Sequence, residues 1–365
     1  MTVKRVIISG GGTGGHVYPA LAIAEELKNT FPNIEILFIG AMGRMEMEKV
    51  PAAGFKIQGL KIAGFNRSKP WKNIGLPWKI LSSLWDARKI ITAFQPELVI
   101  GVGGYASGPT LKMANWLKIP TVIQEQNSLP GKTNLLLAKK AKAICVAYEN
   151  MDRYFPKDKI YLTGNPVRQD ILDLASKKDM GLEYYHLKRS KKTVLVMGGS
   201  LGARTLNQAM KNHFETIETL SDVQFLWQCG KVYHQELASL SLPENVVLRP
   251  FLDRMDLAYA AADFMVSRAG ATSISELAIV GKPCVLVPSP NVSEDHQTKN
   301  AEALSTKNAA ILLKDADAAA ELIKVLKSTL EDEDQLALLA SEIRKLSLPN
   351  ATKEIVQICL NQLKK

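Results

Sequence analysis

A run of glycines around one threonine, Gly10-Gly11-Gly12-Thr13-Gly14-Gly15, ends in His16 and stands between an aliphatic stretch, Val6-Ile7-Ile8-Ser9, and a helical pattern from Val17 to Leu27. A glycine turn that opens a helix leaves backbone N–H groups able to meet an oxyanion or a phosphate. The same residues satisfy GxGxxG through Gly10, Gly12 and Gly15, but a dinucleotide site also needs an acidic residue after the next strand to hold the ribose. Here Ile34–Ile39 runs into Gly40-Ala41-Met42, so the nicotinamide reading lacks its second support. The plainer alternative is a tight turn with no ligand. At the positive end of a helix dipole, His16 is disfavoured as imidazolium, and a neutral imidazole there can accept a proton near neutral pH. The ordinary alternative for His16 is a turn histidine bonded to backbone.

Gly198-Gly199-Ser200-Leu201-Gly202-Ala203-Arg204 repeats the arrangement after Thr193–Met197. Ser200 is suited to donate to a phosphate or to cap the helix that follows. Gln124-Glu125-Gln126-Asn127 follows a strand at the end where doubly wound sheets bind ligands. Those side chains suit a sugar, the alternative being an exposed polar turn before Leu129-Pro130-Gly131. Ser267 to Glu276 follows another strand, and small residues there let a ligand approach backbone amides while Glu276 can hold the hydroxyls of a ribose. A capping box, with Thr272 or Ser273 as cap and Glu276 near its third position, competes with that reading. Asp315-Ala316-Asp317 has the form of a metal-holding acid pair but stands at the start of an alanine-rich helix, where acids cap the N-terminus. No cluster has metal-ligand spacing, and no metal or other cofactor is expected for the chemistry.

Composition bounds these readings. The chain has 365 residues, 46% of them hydrophobic, enough for two domains with their own cores. No secretion signal is read at the start and no run of eighteen apolar residues occurs, so a soluble or peripheral protein is expected. Cys145, Cys229, Cys284 and Cys359 are far apart and form no CxxC pair, which fits reduced thiols. A net charge of +10 favours an anionic partner: nucleic acid, an anionic leaflet or a phosphate-rich substrate.

Strand-like runs alternate with helical stretches at Val6–Ile8, Ile34–Ile39, Leu98–Val102, Thr121–Gln124, Ala143–Val146 and Ile160–Thr163. The rhythm restarts at Thr193–Met197, Val223–Gln228, Val246–Leu248, Phe264–Ser267 and Cys284–Val287. This predicts an α/β protein of two Rossmann-like, doubly wound domains facing one another across a cleft. The expected domains are 1–166 and 167–345, with a closing helix in 346–365 possible as a completion of the first.

In order along the chain, Gly11–His16, Gly103-Gly104-Tyr105-Ala106-Ser107-Gly108-Pro109, Glu125-Gln126-Asn127, Gly164-Asn165-Pro166-Val167-Arg168, Gly198–Arg204, Arg268–Thr272 and His296–Ala301 resemble the MurG family, the undecaprenyl-diphospho-muramoylpentapeptide N-acetylglucosaminyltransferases of the GT-B fold. The resemblance covers nearly the full length. It implies an inverting transfer of N-acetylglucosamine from UDP-N-acetylglucosamine to the muramic acid C4 hydroxyl of lipid I, which forms lipid II for peptidoglycan. It also implies that Thr13, Gly14, Gly15, Asn127, Arg168, Ser200, Leu252, the segment Ala271, Thr272, Ser273, Ile274, Ser275 and Glu276, and Gln297 contact the donor, Leu252 through its backbone. His16 is implied as general base, with Tyr105 and Glu125 beside the acceptor. Binding across two domains suggests closure on the nucleotide before chemistry, with Asn165–Arg168 as the hinge candidate. In two places the chain departs from the family: Gln124 stands where many members have histidine, and His296 where some have glutamine, which leaves Gln297 to make that contact.

The segment Phe65 to Lys72, continuing through Trp78, Lys79, Leu84, Trp85, Arg88 and Lys89, mixes aromatic and basic residues. With a lipid-bound acceptor implied, Trp71, Trp78 and Lys79 are expected at an anionic membrane surface; otherwise this is an amphipathic helix whose Trp and Leu residues enter the core. The implied location is the cytoplasmic face of the membrane, as a peripheral protein among other cell-wall synthesis proteins. A UDP-N-acetylglucosamine 2-epimerase and a non-catalytic UDP-sugar-binding protein are the rival readings. A nucleic-acid partner is not expected, because the basic residues join no nucleic-acid module.

Overall fold

The computed structural model describes residues 4–62, 76–199 and 201–363. Two compact units divide the chain: residues 1–167 with 350–365, and residues 168–349. In the first unit the strands are β1 (Arg5–Ser9), β2 (Glu35–Ala41), β3 (Lys56–Leu60), β4 (Leu98–Gly101), β5 (Thr121–Glu125), β6 (Ala143–Val146) and β7 (Ile160–Leu162). Its helices are α1 (Gly14–Thr30), α2 (Glu46–Ala52), α3 (Leu76–Phe94), α4 (Ser107–Trp116) and α5 (Lys132–Ala138). The second unit carries α6 (Lys178–Tyr184), β8 (Lys192–Met197), α7 (Arg204–Lys211), α8 (Phe214–Thr219), β9 (Val223–Gln228), α9 (Lys231–Ala238), β10 (Val246–Arg249), α10 (Met255–Ala261) and β11 (Phe264–Ser267). It continues with α11 (Ala271–Val280), β12 (Cys284–Leu286), α12 (His296–Ser305), β13 (Ile311–Leu312), α13 (Asp315–Glu331) and α14 (Glu333–Lys345). The chain then returns to the first unit as α15 (Ala351–Asn361).

Both sheets are parallel, in the orders β3-β2-β1-β4-β5-β6-β7 and β10-β9-β8-β11-β12-β13. Reversal of strand order beside the first strand of each half is the doubly wound topology, whose ligand crevice lies at the carboxyl ends of the strands at that switch point. Continuous aliphatic runs form these strands because both faces are covered. In β1, Val6 and Ile8 enter one core with α1 and α15, while Ile7 enters the other. Likewise Val194 and Val196 of β8 join Leu206 of α7 and Leu322 of α13 in the core on one face of the second sheet. Ile355, Val356 and Cys359 place α15 in the first core, a pairing that helical periodicity alone does not specify.

Candidate active site

In the first unit the loops after β1, β4 and β5, three neighbouring strands, are sewn together by buried hydrogen bonds. Ser107 Oγ stands 2.7 Å from Ser9 O and 2.8 Å from Gly103 O and shares its one proton between the two carbonyls. Gln126 Nε2 donates to Val102 O at 2.8 Å and also contacts Gln124 Oε1. The glycines at 103 and 104 are required by close approach: a Cβ at Gly104 would lie 2.3 Å from Gly11 O, and one at Gly103 would lie 2.8 Å from the His16 ring. Gly14 and Gly15 are different. A Cβ at Gly15 would meet only Thr13 Oγ1 at 3.8 Å and one at Gly14 only the Tyr18 ring at 3.2 Å or more, so packing leaves the front of the α1 N-terminus open.

Thr13 is exposed and precedes α1, and its Oγ1 stands 3.1 Å from Nδ1 of the partly buried His16. The other ring nitrogen, Nε2, lies on the side of Gly103. Tyr105, 44% exposed, lies on the neighbouring loop.

Glu46 is a residue that motif reading passes over. Its carboxylate, 1% exposed, accepts the Gly12 N–H at 2.8 Å and the Ala41 N–H at 3.0 Å. The amide of Gly12, which sequence pattern offered to a phosphate, is therefore already satisfied by an acid at the first turn of α2. No spacing rule links position 46 to the glycine loop; only the adjacency of β2 and β1 does.

The Gln124–Asn127 cluster is neither an exposed turn nor a fully presented sugar surface. Gln124, Glu125 and Gln126 are all 1% exposed or less. Gln124 donates to Asn165 Oδ1 at 2.8 Å, and Asn165 returns a bond to Gln126 O at 3.0 Å. The Glu125 carboxylate accepts from the Asn127 N–H (3.0 Å), Asn127 Nδ2 (3.3 Å), the Gly131 N–H (3.1 Å) and Asn134 Nδ2 (2.8 Å). Burial pushes its carboxyl above the ordinary carboxylate range, and those donors oppose the shift. Glu125 thus closes the loop that presents the partly buried Asn127.

On the outer side of the same unit, α3 and α4 expose large apolar side chains. Trp78 (76%), Leu81 (58%), Trp85 (57%) and Trp116 (61%) stand in solvent, and Leu81, Leu84, Trp85, Arg88, Met113 and Trp116 line a shallow apolar groove. Arg88 and Lys89 lie over the Trp85 ring at 5.9 Å and Lys112 over Trp116 at 5.5 Å. The core side of α3 is held by Ala87 and Ile91 instead, so Trp78 and Trp85 do not enter the core. Lys79 is exposed beside them; Trp71 lies outside the described residues.

In the second unit the loops after β8 and β9 are joined in the same way. A Cβ at Gly202 would lie 2.1 Å from Cys229 O, and Gln228 joins the loops through the Gly198 N–H at 3.1 Å and Gly199 O at 3.0 Å. The following helix, α7, has Ala203 at its N-cap; Ser200 lies outside the described residues. Leu252, 2% exposed, belongs to the loop after β10.

Gly270 precedes α11, and neither Thr272 nor Ser273 caps it. The capping-box alternative fails because α11 starts too early: Glu276 lies in the second turn, beyond reach of the helix's first amides. Its carboxylate, 6% exposed, accepts Arg168 Nε at 2.9 Å and the Tyr259 hydroxyl at 2.8 Å. Burial lifts the Tyr259 phenol well above its usual 10, so it stays a donor at neutral pH. Ala271 and Ile274 are buried, Ser275 Oγ donates to Ala271 O at 3.1 Å, and the buried Thr272 hydroxyl oxygen has no partner among the described residues. Gln297, in the first turn of α12, accepts the Ser289 N–H at 2.8 Å through Oε1, which orients its amide nitrogen as a donor. His296 stands 3.8 Å from Glu294.

Asp315 begins α13 and is spent on structure, accepting Thr205 Oγ1 at 3.0 Å and pairing with Arg268, whose Nη1 also donates to Val287 O at 3.0 Å. Among the described residues no three His, Cys, Asp or Glu side chains gather as a metal site.

The N-terminal domain of glycosyltransferase family 28 matches residues 6–146 and its C-terminal domain residues 193–355. The chain is 54% identical over 356 residues to the UDP-N-acetylglucosamine--N-acetylmuramyl-(pentapeptide) pyrophosphoryl-undecaprenol N-acetylglucosamine transferase of Flavobacterium psychrophilum, spanning 98% of this chain and 97% of that protein. The protein of the same name from Bacteroides fragilis is 50% identical over 363 residues, 97% of this chain and 95% of its own. Among solved structures, MurG of Acinetobacter baumannii superposes with a TM-score of 0.79 at 30% identity, covering 98% of this chain and 99% of that one. A UDP-N-acetylglucosamine 2-epimerase reaches a TM-score of 0.65 at 15% identity over 98% of this chain and 95% of its own, a likeness of fold alone. Because the family models match both halves and the identity of 54% extends over 98% of the chain, the chain belongs to the UDP-N-acetylglucosamine--N-acetylmuramyl-(pentapeptide) pyrophosphoryl-undecaprenol N-acetylglucosamine transferases, within glycosyltransferase family 28.

Proposed function

We propose that this protein transfers N-acetylglucosamine from UDP-N-acetylglucosamine to the C4 hydroxyl of the N-acetylmuramyl sugar of lipid I, giving a β-1,4 linkage, lipid II and UDP. The observation that carries the reading is 54% identity to a transferase of that name along 98% of the chain. The second unit takes the donor. Glu276 receives the ribose hydroxyls, the Leu252 backbone meets the uracil, Gln297 donates to the sugar, and Arg168, Ser200 and the N-terminal segment of α11 from Ala271 to Ser275 stand along the nucleotide. Thr13, Gly14, Gly15 and Asn127, the last presented by the loop that Glu125 closes, are assigned to the donor as well, and the first unit takes the acceptor beside His16 and Tyr105.

Chemistry begins with a neutral His16, favoured at a helix N-terminus. Thr13 at Nδ1 and the Gly103 backbone fix the ring, and Nε2 takes the C4 hydroxyl proton as that oxygen attacks the anomeric carbon. The bond from that carbon to the diphosphate oxygen breaks with inversion, and the electron pair leaves on UDP. Backbone amides at the starts of α7 and α11 stabilise the charge that develops on the diphosphate, so the scheme calls for no metal.

A lipid-linked acceptor requires contact with a membrane, and the α3–α4 surface supports it: exposed tryptophans flanked by lysine and arginine suit an anionic interface. No described helix is long and apolar enough to cross a bilayer. The proposal places the enzyme peripherally on the cytoplasmic leaflet, where that surface would meet the lipid-linked acceptor.

The test is release of UDP from UDP-N-acetylglucosamine, with and without a lipid I analogue, in EDTA, for wild type and His16→Ala. The expected result is acceptor-dependent release that survives EDTA and collapses in the variant. Release without acceptor would replace the proposal with hydrolysis or 2-epimerase chemistry, and no release at all with a sugar-nucleotide-binding protein.

A further inference from the structure

We infer that Tyr259 is a positioning residue for the donor: its hydroxyl locks the Glu276 carboxylate in the orientation in which the remaining acceptor sites of both oxygens face the ribose diol. This rests on the reading above that Glu276 receives the ribose. A carboxylate can accept roughly four hydrogen bonds. Glu276 is 6% exposed and receives two from the protein, Arg168 Nε on Oε1 and Tyr259 Oη on Oε2. The remaining acceptor sites match the two hydroxyls of a cis-diol, provided the carboxylate does not turn.

The final torsion of a glutamate is broad and nearly two-fold, so something rigid must hold it. Arg168 is a poor anchor, because its side chain is 43% exposed and grips one oxygen. Tyr259 is a good one. It is 1% exposed within α10, and its carbonyl is held by Lys282 Nζ at 2.8 Å. Two anchors on opposite oxygens define the carboxylate plane; one does not. Hydrogen bonds to an ionised acceptor are also the stronger kind, so loss of the phenol hydroxyl is felt by the carboxylate directly.

The test is Tyr259→Phe in the full-length enzyme, which keeps the ring and removes only the hydroxyl. Binding of UDP and of 2′-deoxy-UDP is measured by calorimetry, alongside kcat, donor KM and Tm. Expected are a roughly tenfold weaker UDP affinity and raised donor KM, with kcat at saturating donor unchanged. The decisive readout is discrimination: the wild type prefers UDP over the deoxy nucleotide, and that ratio shrinks toward one in the variant. If Tyr259 merely fills and satisfies the core, Tm falls while the ratio is kept, which overturns the proposal. Glu276→Gln separates the two levels. Loss of discrimination in Glu276→Gln with its retention in Tyr259→Phe rejects Tyr259 alone, whereas a wild type that does not discriminate rejects the role of Glu276 as well.

Discussion

The imidazole of His16 lies against the backbone of Gly103, so closely that a Cβ at 103 would stand 2.8 Å from both Nε2 and Cδ2. The φ of Gly103 is +91°, a conformation that L side chains rarely adopt. Gly103→Ala should therefore displace the ring and strain the loop together. The expected outcome is a fall in kcat of at least about tenfold, the cost of moving a general base off its geometry, with UDP affinity unchanged. Steady-state kinetics with a lipid I analogue and calorimetry with UDP check it. A variant with wild-type kcat would mean that the placement of His16 is not needed.

Glu46 accepts two backbone amides, that of the partly buried Gly12 and that of the buried Ala41. In Glu46→Gln, one of the two N–H groups must face an amide donor, and an unsatisfied buried group costs about 1–3 kcal/mol. A lower Tm and a reduced kcat should appear together, while UDP binding in the other unit stays as in wild type. If Tm does not move, the loop is held by something other than this carboxylate.

In the second unit, Asp256 is 2% exposed and accepts Arg254 through Nε at 3.0 Å and Nη2 at 2.9 Å, and Lys177 at 3.2 Å. Foremost the hydrogen bonds from Arg254, and also that from Lys177, hold its carboxyl well below the ordinary 3.8. A depressed carboxyl contributes stability that is present above the unfolded value and lost as pH falls through the folded one. Asp256→Asn should thus lower stability near neutral pH by about 1–2 kcal/mol, a modest figure because Arg254 is half in solvent. The gap from wild type should narrow once the pH drops below about 4. Thermal unfolding across that range measures it, and a gap that does not change with pH would remove Asp256 from the acid response.

The exposed tryptophans of α3 and α4 make little contribution to the core. Replacing Trp78, Trp85 and Trp116 with Gln should leave Tm nearly unchanged and weaken sedimentation with vesicles of anionic lipid by roughly tenfold or more. Raised salt should weaken wild-type binding too, through the screening of Lys79, Arg88, Lys89 and Lys112. Unaltered sedimentation of the triple variant would move the membrane contact elsewhere.

Much of the fold is legible along the chain because local chemistry repeats there. Buried parallel strands must be aliphatic on both faces, which makes Val6–Ile8 and Val194–Val196 visible without a partner. The edge strand β3 is not visible in this way, since Lys56-Ile57-Gln58-Gly59-Leu60 carries few apolar residues. Nor is β13, two residues long, or the sheet on which α15 packs.

The site divides along the same line. Glycine loops, His16, the Gln124–Asn127 run and Glu276 stand out by type and spacing, and their order along the chain carries the family. What those side chains touch is set by distant partners. Glu46 reaches Gly12, Tyr259 reaches Glu276, Arg268 takes Asp315 and Asn134 takes Glu125. Each of these contacts depends on how the elements pack, and that of Glu46 on β2 lying beside β1. Sequence by itself therefore determined the family, the α/β alternation and the loops to which the chemistry is assigned in the proposal. Tertiary structure alone decided which polar groups are already satisfied by the protein and which remain open to a ligand, because a hydrogen bond requires its partners within about 3 Å and chain order does not measure that distance.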